Sequence, residues 1–332
     1  MRAYRTTGSD GGIALADVPE PSVRYSEALV DVHATSLNYR DLLNISDQAP
    51  FVPLSDGAGV VSAVGDGVTD VRVGDRVVIA FMPSWLDGPL DASKQSSALG
   101  APGCDGVLRE WISVPAKALV RLPDEMSFID ASALPCAAVT AWAALFERRA
   151  LLPGETLLLF GTGGVSMFAL NFAKKAGARV IITSSSDEKL QKALALGADE
   201  TINYRTTPHW ADRVIALTDG RGADLAIDVG GPATLNQTLD AVRYDGRISL
   251  MGVLTGFDGP VSTGTLLRKR ITLQGIYVGP TPMLNDVVRA RPKPVIDHVY
   301  AFEEAPKAFE TLSLAKHVGK LVIQMPASSG RA

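Results

Sequence analysis

Cysteine is almost missing from this chain: Cys104 and Cys136 are the only two among 332 residues. Two thiols cannot build a disulfide scaffold or a four-cysteine zinc site, so both are expected to be reduced. Histidine is nearly as scarce, and His33, His209, His298 and His317 show no metal-ligand spacing. No basic run occurs, and 32 Lys and Arg against 36 Asp and Glu give a formal net charge of -4. The electrostatic footprint of a nucleic-acid or anionic-membrane partner is therefore absent. The opening, Met1 to Gly8, lacks the apolar core of a secretory signal, and the longest apolar stretch, Leu157 to Ala173, is broken by a glycine turn, so it is no membrane span. The expectation is a cytoplasmic protein that works on a small molecule.

What is present fits that expectation. Hydrophobic residues make up 46% of the chain and charged residues 20%, enough for a large core, and the length suggests two domains. The most informative stretch runs from Leu157 to Ser166. Four apolar residues, Leu157 to Phe160, lead into Gly161-Thr162-Gly163-Gly164, and apolar positions then recur at 165, 168, 169, 172 and 176. The pattern changes from a buried strand to one face of a helix across a tight turn. Glycines there open φ angles closed to other residues and clear the backbone N–H groups, so a pyrophosphate fits at the helix N-terminus. Ser166 occupies the third position of G-x-G-x-x-G. The plain alternative is a turn that only packs helix against strand. The repeating units that follow favour a dinucleotide.

From residue 1 to about 122 short alternating runs, Ala28 to Ala34, Gly59 to Val64, Val71 to Val73 and Arg76 to Ala80, are separated by Gly-Asp turns. They predict a compact β-barrel, with Met82 to Gly103 as a long loop. Residues 123–276 alternate apolar strands with helices: Arg179 to Thr183, Leu225 to Val229, Arg247 to Met251 and Ile271 to Gln274 are strands, with helices over Asp187 to Leu196, Trp210 to Leu217 and Thr234 to Val242. Ile129 to Phe146 is an Ala-rich helical segment interrupted by Pro135. This is an α/β pattern with a doubly wound parallel sheet. From Tyr277 the texture is mixed again, with a helix at Ala305 to Leu314, a last strand from Lys320 to Ile323 and a frayed end from Pro326.

Together, Leu37-Asn38-Tyr39-Arg40-Asp41-Leu42, Leu54-Ser55-Asp56-Gly57-Ala58-Gly59, Leu134-Pro135-Cys136-Ala137, the glycine turn and Thr183-Ser184-Ser185-Ser186-Asp187-Glu188-Lys189-Leu190 carry a family resemblance. In this order they are similar to the medium-chain dehydrogenase/reductase superfamily, and within it to the zinc-independent quinone oxidoreductase and alcohol-dehydrogenase-like branch, which includes enoyl reductases. The resemblance implies a GroES-like β-barrel catalytic domain over 1–122 and 277–332 and a Rossmann doubly wound domain over 123–276.

Position by position, Asn38 stands where zinc-using relatives have a first Cys, Ser55-Asp56 where they have His-Glu, and only Cys136 matches a ligand. One thiol cannot hold a catalytic zinc, so no metal is expected. Where an acidic residue would read the ribose of NAD, this chain has Thr183 to Ser186; Ser184, Ser185 and Lys189 suit the 2′-phosphate of NADPH, although the serines could equally only cap the helix. Resemblance adds Tyr204 by the adenosine phosphate, and Gly161, Thr162, Gly163, Gly164 and Val165 at the pyrophosphate. It places Asn38 and Thr140 near the nicotinamide, the main chain of Met251, Gly252, Val253, Ile276, Tyr277 and Val278 at the carboxamide, and Lys320 within reach of the same crevice. Ordinary strand-end packing is the alternative for each.

The reaction expected is hydride transfer from NADPH, in a dry slot between the domains, to an enone, an enoyl thioester or a quinone. Alternatives are a zinc-free alcohol dehydrogenase or ketone reductase, and a protein that binds NADPH without turnover. Tyr39 is the candidate proton donor, against a role in packing alone, with Arg40 and Asp41 read as a local ion pair. The apolar, β-branched strand Ile271 to Gln274 is expected to pair with its own copy in a homodimer.

Overall fold

The structure is a computed structural model that describes residues 1–8, 11–46 and 49–326. In chain order the strands are β1 Arg2–Thr6, β2 Ile13–Asp17, β3 Glu27–Ser36, β4 Asp56–Val64, β5 Arg76–Ile79, β6 Trp111–Pro115, β7 Leu119–Arg121, β8 Thr156–Phe160, β9 Arg179–Ser184, β10 Glu200–Asn203, β11 Ala223–Asp228, β12 Val242–Leu250, β13 Thr272–Gly275, β14 Ile296–Ala301 and β15 Lys320–Gln324. The helices are α1 Tyr39–Asn44, α2 Ala92–Gln95, α3 Phe128–Ser132, α4 Val139–Phe146, α5 Gly164–Lys175, α6 Asp187–Ala195, α7 Trp210–Leu217, α8 Pro232–Ala241, α9 Thr263–Arg268, α10 Thr281–Ala290 and α11 Ala305–Ser313. The chain divides into two compact units, Met1–Val139 with Val278–Ala332, and Thr140–Tyr277. The frayed end expected beyond Pro326 lies outside the described residues. None of the described helices is long and apolar enough to cross a membrane.

The first unit is built on a sheet in the order β14-β15-β3-β4-β5-β7, with β6 pairing the other half of β3 and β1-β2 forming a separate ribbon. β3 is its centre. Alternate residues Val30 and Val32 of β3 enter a core with Val61, Val77, Ile79, Ile112, Phe302, Leu321 and Ile323. Antiparallel register sets Val322 opposite Ser36, and Ser36 opposite Asp56, so the start of β15, the end of β3 and the start of β4 lie side by side. Val71 to Val73 is not a strand: Asp75 takes the Arg72 N–H at 3.0 Å and turns the chain there. The Met82 to Gly103 loop contains one helical turn, α2, capped by the Asp91 side chain. Around Pro135 the helical segment from Phe128 to Phe146 becomes a π-helical turn, Leu134–Ala138, between α3 and α4.

The second unit is a six-stranded parallel sheet in the order β10-β9-β8-β11-β12-β13. Every residue of β8 and β11 is buried, which is why their middles, Leu157 to Phe160 and Leu225 to Ile227, read as continuous apolar runs rather than alternating ones. Strand order reverses between β8 and β11, and crevices at such a reversal, outside the carboxyl ends of the strands, are where doubly wound sheets bind ligands.

Candidate active site

In the second unit the parallel strands bring Gly161 to Val165, Ser184, Ser185, Tyr204, Met251 to Val253 and Ile276 to one edge of the sheet, at or just beyond the ends of β8, β9, β10, β12 and β13. Gly161 has φ +66° and no heavy atom within 4 Å of where a Cβ would lie. Its N–H donates to Thr183 O at 2.6 Å, which ties the turn to the neighbouring strand end. Gly163 caps α5 without a side chain, so the first-turn N–H groups face whatever lies off the helix end. Ser166 fills the motif's third position because its buried hydroxyl donates back to Phe160 O at 2.8 Å. These residues fit a pyrophosphate.

At the end of β9, Ser184 is buried and its Oγ accepts the Ser186 N–H at 3.4 Å; Ser186 in turn caps α6, taking the Lys189 N–H at 3.4 Å. Tyr204 N donates to Ser184 O at 3.1 Å, so its exposed ring starts beside the serines. The two nearby carboxylates are engaged: Asp187 accepts Asn203 Nδ2 at 2.7 Å, and Glu188 pairs with Lys192 at 2.9 Å.

Sequence reasoning missed Asp228, at the end of β11. Fully buried, it accepts Gly230 N at 2.9 Å, Gly231 N at 3.1 Å, Thr234 Oγ1 at 2.7 Å and Thr238 Oγ1 at 2.7 Å, and its carbonyl takes the Met251 and Gly252 N–H groups. A carboxylate with four donors is fully satisfied and fixes two strand-end loops. Gly252 is obligatory there, since a Cβ would lie 1.7 Å from Val229 O. The signal was Asp-Val-Gly-Gly directly after a strand. Of the segments expected at the carboxamide, Ile276 N is bonded to Leu250 O, Tyr277 is exposed, and Val278 has φ +55° and belongs to the first unit. Thr140 is buried in α4.

The first unit holds a buried polar cluster. Adjacent strand ends place Lys320 of β15, Asn38 just past β3 and Asp56 of β4 together. Lys320 Nζ donates to Leu37 O at 2.6 Å and to Asn38 Oδ1 at 2.5 Å, and lies 3.5 Å from Asp56 Oδ2. Asp56, fully buried, also accepts Ser55 Oγ at 2.7 Å and Cys136 N at 3.3 Å. Burial, then the Asp56 charge, push the Cys136 thiol up to about 12. Asn38 caps α1 and donates its N–H to Asp41 Oδ2 at 2.7 Å, while Tyr39, the first residue of α1, is 41% exposed. Burial pushes the Asp41 carboxyl up to about 6, against Arg40, whose Nη1 lies 3.8 Å from Asp41 Oδ1. Arg40 is shared further, bonding Leu99 O at 2.9 Å and stacking over Phe81. Asn38, Ser55, Asp56, Cys136 and Lys320 are thus one constellation, with Tyr39 adjacent in the chain but exposed, and the Lys320–Asp56 pair was not foreseen. Among the described residues no group of three or more His, Cys, Asp or Glu could hold a metal ion. The positions matched to zinc ligands carry an amide, a hydroxyl, a carboxylate paired with Lys320 and a single thiol, a donor set that does not fit zinc.

Comparison with known proteins assigns the class. Residues 24–124 match the alcohol dehydrogenase GroES-like domain and residues 164–291 the zinc-binding dehydrogenase domain. The chain belongs to the medium-chain dehydrogenase/reductase family and is an oxidoreductase. A zinc-type alcohol dehydrogenase-like protein of Schizosaccharomyces pombe is 40% identical over 93% of both chains. A solved structure from Sinorhizobium meliloti, assigned as an alcohol dehydrogenase, superposes with a TM-score of 0.90 at 44% identity, covering 97% of this chain and 98% of its own. A solved NAD-dependent alcohol dehydrogenase gives a TM-score of 0.86 at 32% identity, covering 98% of this chain and 100% of its own.

Proposed function

We propose that this oxidoreductase is an NADPH-dependent, zinc-independent reductase that adds hydride to a conjugated small molecule: an enone, an enoyl thioester or a quinone. The observation that carries the reading is that the expected ligand positions Asn38, Ser55 and Asp56 are joined to one another and to a protein cation, Lys320, with Asp56 as its counter-charge. Without a Lewis acid an alcohol's pKa is not lowered, whereas a conjugated acceptor needs only a donor at oxygen. NADPH is favoured because no carboxylate stands at the end of β9, where Ser184, Ser185 and Lys189 offer hydroxyls and a cation to a 2′-phosphate. Gly161 to Val165 would hold the pyrophosphate, with Tyr204 by the adenosine phosphate. When bound, the cofactor supplies the hydride. Hydride at the conjugated carbon leaves an enolate, and in this reading the exposed Tyr39 hydroxyl gives it a proton.

The names of the similar proteins, a zinc-type alcohol dehydrogenase-like protein and an NAD-dependent alcohol dehydrogenase, favour a second reading, an alcohol dehydrogenase or ketone reductase using NAD. Stopped-flow oxidation of NADPH and NADH by a panel of enones, quinones and ketones, with alcohols in reverse, separates the two. Expected are faster turnover of NADPH by conjugated acceptors, no loss on chelation, and a kcat lowered on the order of 10²-fold by Tyr39→Phe. Chelator-sensitive alcohol oxidation with NAD as the better cofactor would sink the proposal.

A further inference from the structure

An ammonium has three donors and no acceptor, so any amide that touches it must turn its oxygen towards it. Lys320 Nζ lies 2.5 Å from Asn38 Oδ1, and its remaining contacts, Leu37 O and Asp56 Oδ2, are acceptors too. The Asn38 main chain is pinned from the other side by its N–H bond to Asp41 Oδ2. Its carboxamide therefore cannot flip, and the NH2 group must face away from Lys320. That Nδ2 is buried and has no hydrogen-bond partner. A buried amide donor left unpaired is costly, and native chains keep such groups where a ligand pairs them.

We propose that Lys320 is a positioning residue, which locks Asn38 with its NH2 towards the substrate and so makes Asn38 a donor only. The ligand atom matched to it is an oxygen with free lone pairs, held most tightly when it carries negative charge, as in the enolate or the quinol anion formed after hydride addition. This rests on the reductase reading for what lies against Asn38. Register makes the device possible: continuing the antiparallel pairing of Val322 with Ser36 sets Lys320 across from Asn38. Asp56 balances the buried charge, and Ser55 and Cys136 N hold Asp56.

Lys320→Gln supplies an amide that can either donate or accept, so Asn38 regains its flip. With NADPH bound, kcat for the best enone should fall at least tenfold while the Kd for NADPH changes less than twofold. Should loss of the cation leave Asp56 unbalanced and the variant unfolded, Asp56→Asn with Lys320→Gln removes both charges and should show the same fall. Asn38→Asp keeps the size and the Lys320 contact and should also lose activity, because it offers the substrate an acceptor. A readout independent of turnover is the Asn38 side-chain NH2 resonance, assigned by its disappearance in Asn38→Asp: a saturated ketone should shift it in the wild type and not in Lys320→Gln. Wild-type kcat in Lys320→Gln or in Asn38→Asp overturns the inference, as does a ketone-induced shift that survives loss of Lys320. If the wild-type protein reduces no carbonyl compound, the reductase reading fails, and the resonance alone decides the role of Lys320.

Discussion

Asp41 shows how far a single side chain of this cluster departs from solution behaviour. Burial lifts its carboxyl from the ordinary 3.8 to about 6, and Oδ1 accepts no hydrogen bond. The folded chain thus holds this proton more tightly than the unfolded one. Its contribution to stability is full below the unfolded value, near pH 4, and is lost as pH rises through about 6. A displacement of that size corresponds to on the order of 3 kcal/mol. Asp41→Asn, a neutral isostere whose Oδ1 can still accept the Asn38 N–H, should therefore raise the denaturation midpoint at pH 7.5 and change it little at pH 4. Equal loss of stability at both pH values would show that the ionised form is needed beside Arg40.

Among the elements, α6 carries the sharpest test of cofactor choice. Ser186 caps it, and Lys189 lies half-buried in its first turn. A charge-assisted phosphate contact is worth about 1.5–3 kcal/mol, so Lys189→Ala should weaken NADPH about tenfold or more in a fluorescence titration and leave NADH unchanged. Equal weakening of both would assign Lys189 to the fold. The β8-turn-α5 unit was legible in the sequence because the hydrophobic period changes within ten residues, and the cofactor edge follows from parallel strands ending together. The Lys320–Asp56 pair was not, since its partners stand 264 positions apart and meet only through β3, which lies between their strands. Val71 and Val73 misled for the opposite reason: local alternation resembles a strand, but pairing needs a partner, and Asp75 had already bent the chain. Cys136, by contrast, lies half-buried in a π-helical turn that Pro135 begins to explain.

For the whole molecule we propose a two-fold dimer through β13, which pairs only with β12 among the described residues and leaves its other edge open. Light scattering at micromolar concentration should give twice 35.1 kDa, and a monomer would rule the dimer out. The second unit is a single continuous segment, whereas the first is made from both ends of the chain, with β15 completing the flank of β3. During synthesis, then, the sheet that contains Asp56 cannot close until Lys320 leaves the ribosome. At roughly 5–20 residues per second, the carboxylate waits about 13–50 s for its cation. In that interval the second unit can already be folded, while β3 offers an open edge and Asp56 of β4 an uncompensated charge. The nascent chain is most exposed to misassembly in the half made first.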